Sequence, residues 1–172
     1  MEIPHMIRTL AAPLLLAALL GSAYAGDPAM EAHPPKTDIS ALPPVGEVWV
    51  DSNPYRGNAA VVDTGRALYN ESCAVCHGSD LNHKNQVGPN LLRLHRGCRK
   101  VTEPDLLPRC LSDVDHYFVK SVRKGKRVLD VQHMPPWDKV LTQEAVWAIK
   151  TFIEARIDED ARLKAQGKTA AR

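Results

Sequence analysis

Apolar residues recur at helical spacing in three segments of the chain, which are separated by stretches rich in proline, glycine and polar residues. The spacing predicts helices over residues 64–73, 112–124 and 142–157. A threonine or serine stands at the start of each helix as an N-cap, and Gly125 stops the second. The expected inward residues are Ala67, Leu68, Val114, Tyr117, Phe118, Val122, Val146, Ile149, Phe152 and Ile153. No segment alternates convincingly enough for a strand, so the pattern predicts an all-α fold.

Proline and charge divide the rest of the chain. Six prolines within residues 26–58 disfavour a helix and predict an extended N-terminal arm. Its second half, residues 42–58, is apolar enough that we expect it to pack partly on the core. Residues 59–157 would form the helical domain, with a loop over residues 126–140. Residues 158–172 are predicted to be a frayed, charged tail.

An apolar run near the N-terminus predicts export. Arg8 precedes the run Leu10–Leu20, and Ala23-Tyr24-Ala25 follows it as a small-x-small cleavage site. The run is too short to span a bilayer, so residues 1–25 are expected to be a cleaved signal peptide rather than the alternative, an uncleaved anchor. The expected location is the periplasm of a Gram-negative cell, without stable membrane insertion.

Composition narrows the possible partners. The chain has 172 residues and a formal net charge of +2. After loss of the signal, the remaining length is typical of one domain, and we expect a monomer. The near-neutral balance argues against nucleic acid as a partner. Aromatic residues make up only 5% of the chain, so a large apolar cofactor would complete a small core.

The segment Cys73-Ala74-Val75-Cys76-His77 carries the clearest chemistry. Two cysteines two residues apart and followed at once by histidine form the attachment motif of c-type haem. The two thiols would add to the vinyl groups of one porphyrin, and His77 would bind the iron. The alternative is a zinc site, since paired cysteines also suit tetrahedral thiolate binding, but export and the flanking residues favour haem.

Whether a residue of the protein occupies the second axial position on the iron decides between electron transfer and the binding of an external ligand. Met134 is one of two methionines after the predicted signal, and the two prolines that follow it stiffen its loop. Its rarity, the neighbouring prolines and the preceding haem motif make Met134 the predicted distal ligand, and its thioether would favour ferrous iron. Its competitors are His133, His83, His95 and His116. If none of them binds, the open position would suit a gas-binding or peroxidase-like protein, which is the alternative function.

Gly88-Pro89-Asn90-Leu91 follows His77 at a distance that suits a loop beneath the imidazole ring. The Pro89 carbonyl is the predicted acceptor for the second ring proton, and an ordinary Gly-Pro turn is the alternative. Trp49, Arg56 and Trp137 are candidates for hydrogen bonds to the haem propionates, although each could equally be a packing or surface residue.

Together these residues resemble class I cytochrome c. Gly65-x-x-x-Tyr69-x-x-x-Cys73 matches the N-terminal helix of that family, Gly88-Pro89-Asn90-Leu91 its proximal loop, and Met134-Pro135 its distal loop. Ile149 and Phe152 match the C-terminal helix that crosses the first one. The resemblance implies a small all-α fold around one covalent haem c, which transfers electrons and is not an enzyme.

A narrower resemblance, over about residues 42–157, is to the PedF-type cytochromes. It rests on residues 42–46, 53–56 and 143–150 and on the pair Cys98 and Cys110. That group is associated with alcohol dehydrogenases that use pyrroloquinoline quinone (PQQ). The resemblance implies a periplasmic PQQ-dependent dehydrogenase as electron donor, and a downstream oxidase or cytochrome of the respiratory chain as acceptor.

Cys98 and Cys110 remain after haem attachment. An even pair in an exported chain indicates a disulfide, and closure of a loop this short would stabilise the fold by about 3 kcal/mol. The alternative is a four-thiolate zinc site that uses all four cysteines.

Lysine and arginine cluster in two parts of the chain. One cluster, near the end of the second predicted helix, contains Lys120, Arg123, Lys124, Lys126 and Arg127. The other contains Arg93, Arg96, Arg99 and Lys100. The simple interpretation is a solvated surface with favourable charge at a helix C-terminus. The functional hypothesis is that these groups steer docking onto an acidic redox partner.

Overall fold

The computed structural model describes residues 31–84 and 86–168, and the predicted signal peptide lies outside them. The described chain is mostly helical. Its helices are α1 (Ala59–Ser72), α2 (Ala74–His77), α3 (Leu106–Lys124) and α4 (Gln143–Ala165), with single 3-10 turns at Ser79–Leu81, Leu91–Arg93 and Cys98–Lys100. Two strands, β1 (Lys126–Val128) and β2 (Val131–Met134), pair in antiparallel fashion between α3 and α4. Within the described residues, no helix has both the length and the apolarity needed to cross a membrane.

Helix α1 begins before its predicted cap at Thr64. The side-chain oxygen of Asn58 accepts a hydrogen bond from the Ala60 amide at 3.1 Å and caps the helix instead. Asparagine is at least as good an N-cap as threonine. The additional turn is also held by packing, because Val61 is buried on the same face as Leu68, seven residues later.

Helix α3 begins at Leu106 rather than at the predicted start, Ser112. Pro108 lies in the first turn, where a missing N–H breaks no intrahelical hydrogen bond. The first turns of α3 are largely exposed, so they show no apolar period from which a helix could be predicted. Phe118 is buried as predicted, whereas Tyr117, also predicted to face inward, is exposed.

Helix α4 begins at the predicted Thr142 cap, whose hydroxyl accepts a hydrogen bond from the Ala145 amide at 3.2 Å. It does not fray after Ile157 but continues to Ala165. Asp160 is buried, and its carboxylate accepts a hydrogen bond from Lys164, 2.5 Å away, one turn along the helix. Ion pairs at this spacing support a helix that has no apolar period of its own.

The hairpin between α3 and α4 corrects the prediction of an all-α chain with a loop over residues 126–140. Strand β1 spans three residues and β2 four, which is too short for an alternating pattern to be recognised. Leu129 and Asp130 form the turn with φ angles of 48° and 63°. Both angles are left-handed, as in the two-residue turns that match the twist of a hairpin.

The core forms where α1 crosses α4. A β-carbon on Gly65 would lie 2.0 Å from the carbonyl oxygen of Ala148, so only glycine allows this close approach of the two backbones. The rings of Tyr69 and Phe152 pack beside it with their centroids 5.3 Å apart. The sequence resemblance placed these helices across each other, and the structure confirms that arrangement.

The segment before α1 is bonded to the start of α4. The side-chain oxygen of Gln143 accepts a hydrogen bond from the Val50 amide at 2.7 Å, and its nitrogen donates to the carbonyls of Gly46 and Val48. Tyr55 is buried and donates its hydroxyl hydrogen to a carbonyl of the same segment. The segment is therefore attached by polar contacts as well as by packing.

A disulfide joins Cys98 and Cys110. Cys98 is buried in the 3-10 turn Cys98–Lys100, and Cys110 lies in the second turn of α3. The bridge therefore ties the chain that follows the Gly88-Pro89 loop to the beginning of α3.

Candidate haem site

The two cysteines of the predicted attachment motif lie where α1 passes into α2. Cys73 is the C-cap of α1 and the N-cap of α2, and its amide donates to the Tyr69 carbonyl at 2.8 Å. The His77 amide donates to the Cys73 carbonyl at 3.0 Å, so a single helical turn carries the motif. Residues three and four apart share a face of such a turn, which brings Cys73, Cys76 and His77 together. Both cysteines are free thiols.

His77 is buried, and its Nδ1 atom lies 2.9 Å from the Pro89 carbonyl oxygen. A carbonyl can only accept, so Nδ1 carries the proton and Nε2 keeps its lone pair for a metal. Burial lowers the pKa of His77 more than the Pro89 hydrogen bond raises it, so the ring is held neutral, as a metal ligand requires.

Two glycines allow the loop to close around the His77 ring. A β-carbon on Gly88 would lie 2.8 Å from Nδ1 of His77 and 2.9 Å from its Cε1 atom. Gly78, at φ +87°, follows His77, and a β-carbon there would lie 1.8 Å from the Asn82 carbonyl oxygen. The hydroxyl of Tyr69 donates to the Gly78 carbonyl at 3.0 Å, which ties α1 to this turn.

The strand pattern separates the two neighbouring candidates for the distal ligand. Along β2 the residues are alternately exposed and partly buried, which puts His133 on the exposed side and Met134 on the partly buried side. Met134 packs against the core, and a β-carbon on Gly125 would lie 2.3 Å from its carbonyl oxygen. The backbone of Met134 is therefore closely held by the residue that ends α3.

The remaining candidate histidines are engaged elsewhere or exposed. The Nε2 atom of His83 lies 2.6 Å from the Gly88 carbonyl oxygen. The Nε2 atom of His95 lies 2.8 Å from the Lys150 ammonium. His116 is exposed on α3. Of the five sequence candidates, all within the described residues, Met134 is the one that is partly buried and has no potential ligand atom engaged in a hydrogen bond.

The donor set fits a c-type haem. Cys73 and Cys76 would form the thioether bonds, and His77, already oriented by Pro89, would supply the proximal nitrogen. Two free thiols and a neutral imidazole on one turn also match the composition of half a zinc site. However, the other two cysteines are joined to each other, which rules out the four-thiolate zinc alternative in this structure.

A buried cluster of charges, which sequence reasoning missed, lies between α3, α4 and the chain after the Gly88-Pro89 loop. The Lys150 ammonium is fully buried and lies 2.9 Å from Oδ1 of Asp115, 2.6 Å from Oε1 of Glu154 and 2.8 Å from Nε2 of His95. Burial, and then the adjacent ammonium, lower the pKa of His95 to about 4. His95 therefore accepts from Lys150 as a neutral ring.

This cluster has the ligand types of a metal site, but Lys150 occupies the position of the cation. The nearest ligand atoms of His95, Asp115 and Glu154 all lie within 4.8 Å of one another. The ammonium is within hydrogen-bond distance of all three, so it satisfies them as an ion would. The cluster is therefore structural, and it carries no separate metal site.

Arg56 belongs to the same cluster rather than standing free to contact a haem propionate. Its Nη2 atom lies 2.6 Å from Oδ2 of Asp115 and 2.9 Å from Oε1 of Glu154. The Asn53 amide donates to Asp115 at 2.9 Å, and the Asn53 side chain donates to Glu154 at 3.0 Å. The N-terminal segment thus supplies one of the two cations that balance the buried carboxylates.

One sequence signal could have revealed the cluster. Residues 145–149 of α4 are apolar all the way round the helix, which indicates a helix buried on every side. Lys150 follows directly and cannot reach water from such a position, so it needs buried acidic partners. Glu154 stands one turn further along, at the right spacing to be one of them.

Comparison with known proteins agrees with this geometry. The family model described as "Cytochrome C oxidase, cbb3-type, subunit III" matches residues 60–153, and the chain belongs to the cytochrome c family. It is similar to cytochrome c550 of Pseudomonas aeruginosa, with 30% identity over 131 residues, which cover 73% of this chain and 80% of that protein. No solved structure matches the chain. Membership of the family implies covalently bound haem c and haem-based electron transfer.

Proposed function

We propose that this chain is an exported, monomeric cytochrome c that binds one haem and carries single electrons. Cys73 and Cys76 would form its thioether bonds, and His77 and Met134 would be its axial ligands. The observation that carries the proposal is the state of His77: the hydrogen bond from Nδ1 to Pro89 leaves Nε2 available, on the same turn as two free thiols.

The iron of a bound haem supplies one-electron redox chemistry. The protein's task is then to keep the ligands in place, because little movement between oxidation states favours fast transfer. Gly88 packs against the His77 ring, and Pro89 orients it. The Met134 thioether would favour ferrous iron and raise the reduction potential. These contacts support a carrier more strongly than a protein that exchanges ligands at the iron.

The proposed donor is a periplasmic PQQ-dependent alcohol dehydrogenase, and the proposed acceptor is a downstream oxidase or cytochrome. The sequence resemblance to the PedF-type cytochromes supports this assignment. Mixing the oxidised, haem-loaded protein anaerobically with a purified PQQ-dependent alcohol dehydrogenase and an alcohol tests it directly. We expect reduction of the haem, with a rate that falls as salt concentration rises.

A deletion strain provides the test in the cell. Loss of this chain should block alcohol-dependent respiration, while dye-linked dehydrogenase activity remains. Normal respiration, in a strain shown to contain no second carrier, would contradict the proposed partner. It would leave the assignment as an electron carrier intact.

Carbon monoxide distinguishes a carrier from the alternative with an open sixth position. With Met134 bound to the iron, carbon monoxide should bind the reduced protein slowly and incompletely. Prompt and complete binding would contradict methionine ligation and would favour a gas-binding or peroxidase-like protein.

A further inference from the structure

The tip of the β1–β2 hairpin presents apolar side chains to solvent. Leu129 is 93% exposed, and its neighbours Val128 and Val131 are 56% and 58% exposed. Single exposed apolar residues are common on proteins, but an adjacent group on a projecting turn is a candidate interaction site.

The residues at this tip do not suit the conformation of its backbone. Leu129 and Asp130 occupy left-handed conformations, which two-residue hairpin turns usually fill with asparagine and glycine. A leucine in this conformation is strained, because its β-carbon lies too close to the following carbonyl oxygen. Burial within the chain does not offset that strain, because the side chain is almost wholly in solvent. Residues held in such conformations cluster at binding and active sites.

The base of the hairpin is firmly held, so the tip has a defined orientation. The side-chain amide of Gln132 donates to the Lys126 carbonyl at 3.1 Å and also to the Met134 carbonyl. The guanidinium of Arg127 donates to the Asp130 carbonyl at 2.9 Å and braces the turn. The same strand that carries the tip ends at Met134, the proposed ligand to the iron.

The chain that leads into the apolar tip is mostly basic. Residues 120–133 contain five basic side chains and one acidic side chain. Arg123 is paired with Asp138 at 2.7 Å, whereas Lys120, Lys124 and Arg127 are exposed and have no carboxylate partner among the described residues. Charge complementarity therefore calls for a partner whose docking site is apolar at its centre and acidic at its rim.

We propose that Leu129, with Val128 and Val131 beside it, inserts into an apolar, acid-rimmed pocket of the redox partner and anchors the electron-transfer complex. This inference rests on the proposed function and adds to it the contact surface. The apolar tip would determine how long the complex lasts, whereas the neighbouring bases would determine how fast it forms.

Two gold electrodes of defined surface chemistry test the proposal on the haem-loaded protein. One carries a monolayer of carboxylate-terminated thiols, and the other a mixture of carboxylate- and methyl-terminated thiols. Leu129→Asn should reduce the electron-transfer rate at least five-fold on the mixed monolayer and leave it unchanged on the carboxylate one. Its visible spectrum should not change, and its unfolding midpoint should be equal or higher because asparagine suits the turn.

The matched control is Val48→Asn, which replaces another apolar residue, 83% exposed, in the N-terminal segment. It should leave the rate unchanged on both monolayers. Equal rates for the wild type and Leu129→Asn on the mixed monolayer would overturn the docking proposal alone. A correctly loaded wild type that exchanges electrons with neither monolayer would overturn the carrier function and this inference with it.

Sedimentation and dehydrogenase kinetics complete the test. A wild-type dimer that Leu129→Asn dissociates would assign the tip to a second copy of this chain and overturn the proposal. With a PQQ-dependent alcohol dehydrogenase that reduces the wild type, Leu129→Asn should lower the second-order rate, and Val48→Asn should not. An unchanged rate for Leu129→Asn would contradict the proposal while leaving the proposed donor in place.

Discussion

The Nδ1 atom of His77 lies 2.9 Å from the Pro89 carbonyl oxygen, and Gly88 packs against the same ring. Gly88→Ala would bring a methyl group to within 2.8 Å of Nδ1 and also of the Cys76 carbonyl oxygen. We expect the hydrogen bond to lengthen and stability to fall by about 1–3 kcal/mol. A weaker hydrogen bond at Nδ1 makes the imidazole a poorer electron donor to the iron, so the haem reduction potential should rise. Voltammetry of the loaded variant checks this, and an unchanged potential with unchanged stability would contradict it.

The crossing of α1 and α4 depends on Gly65. In Gly65→Ala the new methyl group would meet backbone atoms of Ala148 at 2.0 and 2.7 Å, and backbone cannot move aside as a flexible side chain can. The variant should lose about 3 kcal/mol or more of unfolding free energy in denaturant titrations. Gly97→Ala is the control, because that glycine has helical angles and nothing lies within 4 Å of its added methyl. Similar losses in the two variants would disprove the role assigned to Gly65.

Lys150 holds the buried charge cluster together. Lys150→Met would leave the carboxylates of Asp115 and Glu154 with Arg56 as their remaining cation in the cluster. Breaking a buried ion pair from one side costs about 3–5 kcal/mol, measured as unfolding free energy.

The control for Lys150→Met is Lys164→Met, since Lys164 also pairs with an acid four residues away, but its side chain is 60% exposed. Its removal should cost less than about 1 kcal/mol. Adding Glu154→Gln to Lys150→Met should restore part of the lost stability. If the two lysine variants lose the same amount, Lys150 does not have the role proposed here.

His95 gives the fold a specific pH dependence. Burial, and then Lys150, lower its pKa from 6.5 to about 4. Below pH 6.5 the unfolded chain binds a proton that the native ring does not, so stability falls as pH decreases from 6.5 towards 4. Above pH 6.5 this contribution is constant. His95→Gln should remove it, so the stability difference between wild type and variant should change with pH only inside this window.

Unfolding titrations between pH 4 and pH 8 measure that difference. His116→Gln, which replaces an exposed histidine on α3 outside the buried cluster, is the control for the substitution itself. If the unfolding free energies of the wild type and His95→Gln differ by the same amount at every pH, His95 does not cause the predicted pH dependence.

Local sequence patterns predicted the three long helices, but of their N-caps only Thr142 was predicted correctly. The helix after Thr142 begins where predicted. The crossing of α1 and α4 beside Gly65, Tyr69 and Phe152 was implied by the resemblance to class I cytochrome c, and the structure confirms it. The first turns of α3 were missed because exposed residues have no reason to repeat at helical spacing. The hairpin was missed because its strands contain only three and four residues.

In the candidate site too, local motifs were predicted and contacts between distant segments were not. Cys73, Cys76 and His77 form a local motif, and the loop that supplies Pro89 lies only twelve residues beyond His77 in the chain. The buried charges were missed because they come from distant segments: Arg56, Asp115 and Lys150 meet only in the folded chain. A pattern along one helix predicts which face is buried, but it does not identify the neighbours that neutralise a buried lysine.

The axial ligands of the iron are the centre of this account, and absorption spectra of the haem-loaded protein test them most directly. Oxidised and reduced spectra of the wild type should be compared with those of Met134→Ala and His133→Ala. We predict a six-coordinate reduced spectrum and an oxidised sulfur-to-iron charge-transfer band in the wild type and in His133→Ala, with the band lost in Met134→Ala. A band-free or high-spin wild type, or a Met134→Ala spectrum identical to that of the wild type, would contradict ligation by His77 and Met134.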